Sequence, residues 1–192
     1  MRTQTTAILL TGLICTLPEV LHAQTTIAAQ PKTPSHNTMA VGGNVGFHAM
    51  DTESDDLAAN LEPYFEYYYT PRTSLRVMFG WAEPELQATP KRTLRQQRVL
   101  VNFLYNWDLG RFRPFATIGG GAYFLQRREG GESIGNRVTK PGGNIGWGLE
   151  FYLRTFALRT EMNVHILNKE NPPQFDGELS GFSWTFGFKV PF

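Results

Sequence analysis

Eight charged side chains stand at alternate positions within otherwise apolar and small polar stretches. Four are acids and four are bases: Glu62, Glu66, Arg76, Arg98, Glu150, Arg159, Glu161 and Lys189. Alternate positions of a strand share one face, so we expect these charges to meet in one enclosed space. Two chemistries fit such a set, a gate or narrow ion path and a hydrogen-bonded plug of ion pairs. Because an unpaired buried charge costs several kcal/mol, we expect the charges to pair.

Cysteine and metal chemistry have little support in the sequence. Cys15 is the single cysteine and lies in an N-terminal stretch that we predict to be removed. Since His36, His48 and His165 are scattered along the chain, we predict no metal and no cofactor. An acidic group, Asp51, Glu53, Asp55 and Asp56, could bind a divalent cation or form a solvated loop.

The composition argues against a nucleic-acid partner. The 192 residues carry 18 Lys+Arg and 17 Asp+Glu, a formal net charge of +1, whereas nucleic-acid binding favours a basic face. Charged residues make up 18% and aromatic residues 13% of the chain, with a mean hydropathy of −0.29. A chain poor in charge and rich in aromatic residues suits a surface that does not face water everywhere.

The stretches that carry these charges alternate apolar and polar residues with a period of two, which is typical of β-strands. We predict eight strands, near 40–50, 60–69, 75–82, 97–107, 112–126, 143–153, 156–166 and 182–192. The clearest, 182–192, alternates aromatic residues with Ser, Thr, Gly and Lys. The facing of 112–126 stays ambiguous, because Phe115 and Tyr123 share a face with Arg113 and Thr117.

The predicted connectors alternate between long and short. Long connectors are expected at 51–59, 83–94, 127–142 and 168–180, and short ones at 70–74, 108–111 and 154–155. Long outer loops and short periplasmic turns are typical of an outer-membrane barrel, and an even strand number puts both termini at the short-turn end. The sequence therefore predicts an all-β fold, an eight-stranded antiparallel up-and-down transmembrane β-barrel.

The apolar face should point outward in such a barrel and inward in a soluble, lipocalin-like one. Its rows of Phe, Trp, Tyr, Val and Leu are bulkier than an eight-stranded interior accepts, which favours the membrane alternative. We expect aromatic girdles at the membrane interfaces, formed by Trp81, Trp107, Trp147, Trp184 and the run Tyr67, Tyr68 and Tyr69.

The N-terminal residues resemble a secretory signal. Residues 7–17 form an apolar stretch too short to span a bilayer, and Ala23 offers a small residue for cleavage. We predict a cleaved signal peptide at 1–23, a flexible periplasmic lead-in at 24–38 and the barrel at 39–192. The alternatives for the first segment are a buried N-terminal helix and a lipoprotein signal at Cys15, which Ile14 disfavours because that position normally holds a small residue.

Three stretches over residues 39–192 resemble the small Gram-negative outer-membrane β-barrel proteins, the OmpA/OmpX-like or porin-family barrels. They are NFLYNWDLGRFRPFATIGGGAYF at 102–124, GGNIGWGLEFYLRTFALRTEMNVH at 142–165 and TFGFKVPF at 185–192. The last is similar to the C-terminal signal read by barrel-assembly machinery, and the resemblance implies this role for Gly187, Phe188, Val190 and Phe192.

The resemblance implies a protein of the outer membrane, in contact with its lipid and lipopolysaccharide. We expect a structural or interaction role, with an extracellular ligand at the long loops and the charges filling the lumen. A narrow channel or small-solute conduit is the alternative, and the fold alone does not decide between them.

An enzyme that modifies lipid A is a third function class. His165 to Asn168, followed by Asn171 and Pro172, resembles the motif of barrel deacylases, but Leu167 stands where their nucleophilic serine would be. A serine mechanism needs a hydroxyl beside the histidine base, so we predict no enzymatic activity.

Overall fold

Antiparallel strands wind into a closed barrel in the computed structural model, which describes residues 33–50, 57–86, 92–168 and 180–192. The strands are β1 (Met39–Met50), β2 (Ala58–Tyr68), β3 (Thr73–Ala82), β4 (Glu85–Leu86), β5 (Arg92–Asn106), β6 (Phe112–Glu129), β7 (Glu132–Tyr152), β8 (Ala157–Leu167) and β9 (Gly181–Pro191). The two-residue strand β4 pairs with β5 beyond the end of β3 and continues the pairing of β3 with that strand. Within the described ranges, no helix has the length and hydropathy needed to cross a membrane.

The eight long strands close the wall without a gap. Their order is β3-β2-β1-β9-β8-β7-β6-β5, and pairing of β5 with β3 completes the circle. The first and last strands pair directly, with Val41 opposite Val190. Every neighbouring pair of strands is antiparallel, so the predicted eight-stranded up-and-down barrel is confirmed.

The apolar face points outward and the polar face forms the lumen. Val45 and Trp147 on the outside are 60% and 63% exposed, whereas Glu66 and Arg76 are fully buried inside. This is the reverse of a soluble barrel. On β6, whose facing the sequence left ambiguous, Phe115 points into the lumen.

The connector expected at 127–142 is wrong. β6 continues to Glu129 and β7 starts at Glu132, so only Gly130 and Gly131 separate the two strands. Both glycines have positive φ, 59° and 90°, as a two-residue hairpin turn requires. The polar, glycine-rich composition of this stretch is typical of a loop, but most of its residues pair as an extended hairpin.

The two ends of the barrel differ. One end, here called the turn end, carries the connections 69–72, 107–111 and 153–156 and the first residue of β1. The other, the hairpin end, carries the β6–β7 hairpin. At the turn end, the last residues of the predicted lead-in are held to the wall, because Asn37 N donates to Tyr68 O at 2.9 Å.

Some expectations fall outside the described residues. They are the signal peptide at 1–23, the acidic group at 51–56, and most of the connector at 168–180 with Asn171 and Pro172.

Candidate functional site

A cluster of six charged side chains fills the lumen toward the turn end. It contains three acids and three bases, all fully or almost fully buried: Glu66, Glu150, Glu161, Arg76, Arg159 and Lys189. Arg159 reaches Glu150 at 2.6 Å and Glu161 at 2.7 Å, and Lys189 reaches Glu150 at 2.6 Å. Arg76 reaches Glu66 at 3.1 Å. We call this group the lumen cluster; its formal charge is balanced.

Two contacts of this region cross the full diameter of the barrel. Arg76 Nη1 on β3 donates to Glu161 Oε2 on β8 at 3.0 Å, and β8 is the fourth strand from β3 around the wall in either direction. One level closer to the turn end, the hydroxyls of Tyr68 on β2 and Tyr152 on β7 lie 3.5 Å apart. These strands are also opposite each other, so the lumen is occupied across its width.

The other two predicted charges form a separate pair nearer the hairpin end. Arg98 Nη2 donates to Glu62 Oε1 at 2.6 Å and to Asn60 Oδ1 at 2.7 Å. Asn60 also donates to Glu62 at 2.9 Å. The structure therefore brings all eight predicted charges into the lumen, in a group of six and a group of two.

Sequence reasoning missed the aromatic and hydroxyl partners of the lumen cluster. Tyr152 donates to Glu150 Oε2 at 2.8 Å, Ser74 donates to Glu66 Oε1 at 2.6 Å, and Lys189 donates to the Tyr68 hydroxyl. The girdle position expected for Tyr68 is wrong, because this side chain points into the lumen. Tyr67 and Tyr69, its neighbours in the chain, point outward as expected, since alternate residues of a strand face opposite sides.

A third group, built around histidine, lies at the hairpin end of the lumen. The Tyr123 hydroxyl lies 3.0 Å from His165 Nδ1, and the Ser183 hydroxyl lies 3.1 Å from His165 Nε2. His48 packs edge-on against His165 with ring centroids 5.5 Å apart. Among the described residues, no three His, Cys, Asp or Glu side chains are grouped closely enough to hold a metal ion.

The serine–histidine contact is enclosed by the barrel. Ser183 and His165 are both fully buried, and the apolar side chains of Leu94 on β5, Leu125 on β6 and Leu167 on β8 are buried nearer the hairpin end. A hydroxyl beside an imidazole is the pair that nucleophilic catalysis uses, but a substrate needs access to it. The arrangement can hold the imidazole in place by hydrogen bonds from both sides.

Glycines make room for the large side chains of the lumen. A Cβ on Gly148 would overlap the ring of Phe115, which lies across from it on β6. Gly80 and Arg98 form a second pair of this kind, so glycines at such positions let eight strands enclose a dense polar core.

The four residues assigned to the assembly signal lie on β9 and just beyond it. Phe188, Val190 and Phe192 point outward, 55%, 37% and 58% exposed. Gly187 lies against β1, and a Cβ there would come within 2.8 Å of Asn44 Cα. These three side chains are therefore exposed on the outer face, whereas Gly187 lies where β9 pairs with β1 and closes the barrel.

Solved structures with the same architecture are found across several bacteria. Neisserial surface protein A matches with a TM-score of 0.68 and 11% identity, over 80% of this chain and 97% of that one. The N-terminal β-barrel domain of Pseudomonas aeruginosa OprF matches with a TM-score of 0.57 and 13% identity, over 83% and 100% of the two chains. Ail, the attachment invasion locus protein of Yersinia pestis, matches with a TM-score of 0.57 and 11% identity, over 82% and 99%.

The fold is that of the small outer-membrane β-barrels. No protein-family model matches the sequence, and no curated protein is significantly similar to it. Two of these small outer-membrane barrels are only 11% identical to the chain. The likeness therefore establishes the fold, and function must be argued from the lumen and the surface.

Proposed function

We propose that the protein is an integral outer-membrane barrel with a structural or surface-interaction role, and that it does not conduct ions. The observation that carries this proposal is the Arg76–Glu161 bridge across the diameter of the lumen, at 3.0 Å with both side chains buried. A continuous water path cannot pass a lumen that ion pairs fill from wall to wall. The lumen cluster acts as a plug that ties opposite walls together.

The width of the apolar exterior supports a membrane location. On β5 the outward apolar residues run from Val99 through Val101, Phe103 and Tyr105 to Trp107 just after the strand, and the next row, at Gln97, carries Trp81 and Phe124 on the neighbouring strands. The band from this row to Trp107 covers ten residue steps. Ten residue steps at about 3.3 Å and a tilt of about 40° span about 25 Å along the barrel axis, the height of the apolar band in outer-membrane barrels. Aromatic residues at the turn end, Tyr105 and Trp107, pack with ring centroids 5.1 Å apart.

The interaction role is assigned to the hairpin end. β7 pairs with β8 only from Gly142 onward, so the ten residues from Glu132 to Pro141 extend beyond that neighbour. Except at 135–137, where the register shifts, they remain paired with β6, which itself pairs with β5 as far as Arg92. A three-stranded wall thus rises above one side of the barrel and offers a rigid surface to a partner outside the cell.

Conductance and surface labelling test the proposal together. Protein refolded in detergent and inserted into a planar bilayer should leave the conductance at that of the bare bilayer, and its heat-modifiable gel mobility shows that it was folded. An epitope inserted between Gly130 and Gly131 should be labelled by antibody on intact cells. Discrete conductance steps would support the channel alternative, and an epitope reached only after lysis would contradict the assigned orientation.

A further inference from the structure

Three arginines lie on the outer face of the wall at the hairpin end. Arg95 on β5, Arg128 on β6 and Arg137 on β7 are partly or fully exposed. We call them the arginine patch. None belongs to the lumen, and the proposed structural role makes no use of them.

The patch lies where the apolar exterior ends. One row across the wall pairs Phe79 with Val99, Val99 with Ala122 and Ala122 with Pro141, without a charge. The next row toward the hairpin end consists of Trp81, Gln97, Phe124 and Thr139. The following one includes Arg95 beside Gln126. Toward the hairpin end the outer side chains thus change from apolar to aromatic to cationic. This is the order expected on passing from the acyl chains of a membrane to its headgroups.

Aromatic rings support two of the three guanidinium groups. Arg137 lies over the ring of Phe124 at 4.5 Å, and Arg95 lies 5.9 Å from the ring of Trp81. Arg137 also donates to Gln97 Oε1 at 2.8 Å. These contacts hold the side chains against the wall and lower the entropy lost when they bind a ligand.

Among the described residues of this face, two carboxylates accompany the three arginines: Glu83, and Glu85 in the row of Thr93 and Arg128. Arg95 and Arg128 share one carboxylate, Glu83, at 2.5 Å and 3.5 Å. The hydrogen bond of Arg137 goes to an uncharged amide. Glu129 and Glu132 lie farther out, opposite each other in the strand register at the tip of the hairpin. Guanidinium groups not fully neutralised at headgroup depth suit a phosphate, which accepts paired hydrogen bonds from arginine.

We propose that the arginine patch binds a phosphate-bearing headgroup of an outer-leaflet lipid, with the acyl chains lying on the apolar wall below. The inference depends on the proposed membrane location, with the hairpin end facing outward. It names the ligand class of that surface. A lipid is favoured over a free anion because the patch continues directly into the apolar face.

A matched pair of variants tests the inference in refolded protein. Arg95→Gln with Arg137→Gln removes two charges from the patch, and Arg111→Gln with Arg154→Gln removes two exposed charges from the turn end. Native mass spectrometry in a neutral detergent compares binding of bisphosphorylated lipid A, its dephosphorylated form and inorganic phosphate. The parent and the turn-end variant should prefer the phosphorylated lipid by about tenfold or more, and the patch variant should lose that preference.

The outcomes separate this inference from the proposed function. Equal binding of the two lipids, or an equal loss in the turn-end variant, overturns the inference while heat-modifiable mobility and vesicle insertion still support an outer-membrane barrel. Displacement of the lipid by inorganic phosphate overturns the commitment to a lipid ligand. Failure of the parent protein to insert into vesicles would contradict the proposed function itself.

Discussion

Arg159 is the base with the most ionic contacts in the lumen cluster. It lies within 4 Å of three carboxylates, those of Glu150, Glu161 and Glu66, at 2.6 Å, 2.7 Å and 3.8 Å. Its guanidinium also lies 4.0 Å from the centre of the Phe115 ring. Removing one member of a buried ionic group leaves a charge without compensation, which costs more than the pair itself contributes.

Arg159→Gln should therefore destabilise the barrel without opening it. We expect a loss of about 3 to 5 kcal/mol in the free energy of unfolding, because three acids would face two bases in a buried site. Urea unfolding followed by heat-modifiable mobility measures the loss, and Arg111→Gln, the same change at an exposed position, is the control. An unchanged unfolding midpoint with unchanged conductance would remove the support for a structural ion-pair network.

Ser183 should not react as a nucleophile although it lies 3.1 Å from His165. Both side chains are fully buried inside the barrel, so a bulky reagent cannot reach the hydroxyl. We expect no labelling of the folded protein by a fluorophosphonate probe. Labelling that disappears in Ser183→Ala would contradict this expectation and reopen the question of an enzyme.

At the scale of the strands, β9 combines two roles that share one stretch of sequence. Its lumen side closes the wall against β1, with Asn44 opposite Gly187. Its outer side presents Phe186, Phe188 and Val190. Because alternate residues face opposite sides, the two roles can be altered independently.

Gly187→Ala should impair folding in detergent, where no assembly machinery is present. The added Cβ would press on the β1 backbone at Asn44, and overpacking of this kind costs about 1 to 3 kcal/mol. Gly43→Ala is the control, because the nearest atom to its Cβ, Pro63 Cα, lies 4.0 Å away. The refolded fraction and the urea midpoint are the measurements, and equal results for the two variants would contradict a role for Gly187 in closure.

Phe192→Ala should show the opposite behaviour. Its side chain is exposed, so folding in detergent should match that of the parent. If assembly machinery reads this residue, the variant should accumulate less in the outer membrane of cells. Normal accumulation would contradict the assembly role implied by the resemblance.

For the whole barrel, the sequence predicts which face each charged side chain occupies but not which side chains meet across the lumen. Alternation places Glu66 and Arg76 on the lumen face because the period of a strand is fixed. Their partners across the diameter were not predictable, since Arg76 and Glu161 are 85 residues apart and meet only through the stagger of the closed barrel. The misplaced Tyr68 belongs to a run of three tyrosines, where composition suggests a girdle and only the register tells the faces apart.

The link between opposite walls can be separated from the charge balance of the lumen. Arg76→Met and Glu161→Met each leave the lumen cluster unbalanced, so each should cost about 3 to 5 kcal/mol in urea unfolding. The double variant leaves Glu66, Glu150, Arg159 and Lys189, two acids and two bases. Since similar-sized apolar residues often replace buried ion pairs at little cost, the double variant should lose less than either single variant.

A double variant that loses the sum of the two single losses would show that Arg76 and Glu161 contribute independently, which would contradict a stabilising bridge and the charge-balance explanation alike. Conductance gives the second measurement, because the methionines should still fill the space between β3 and β8. A double variant that folds and conducts would mean that only the bridge closes the lumen. A double variant that folds and stays closed would show that side-chain volume across the whole diameter is sufficient to block ions.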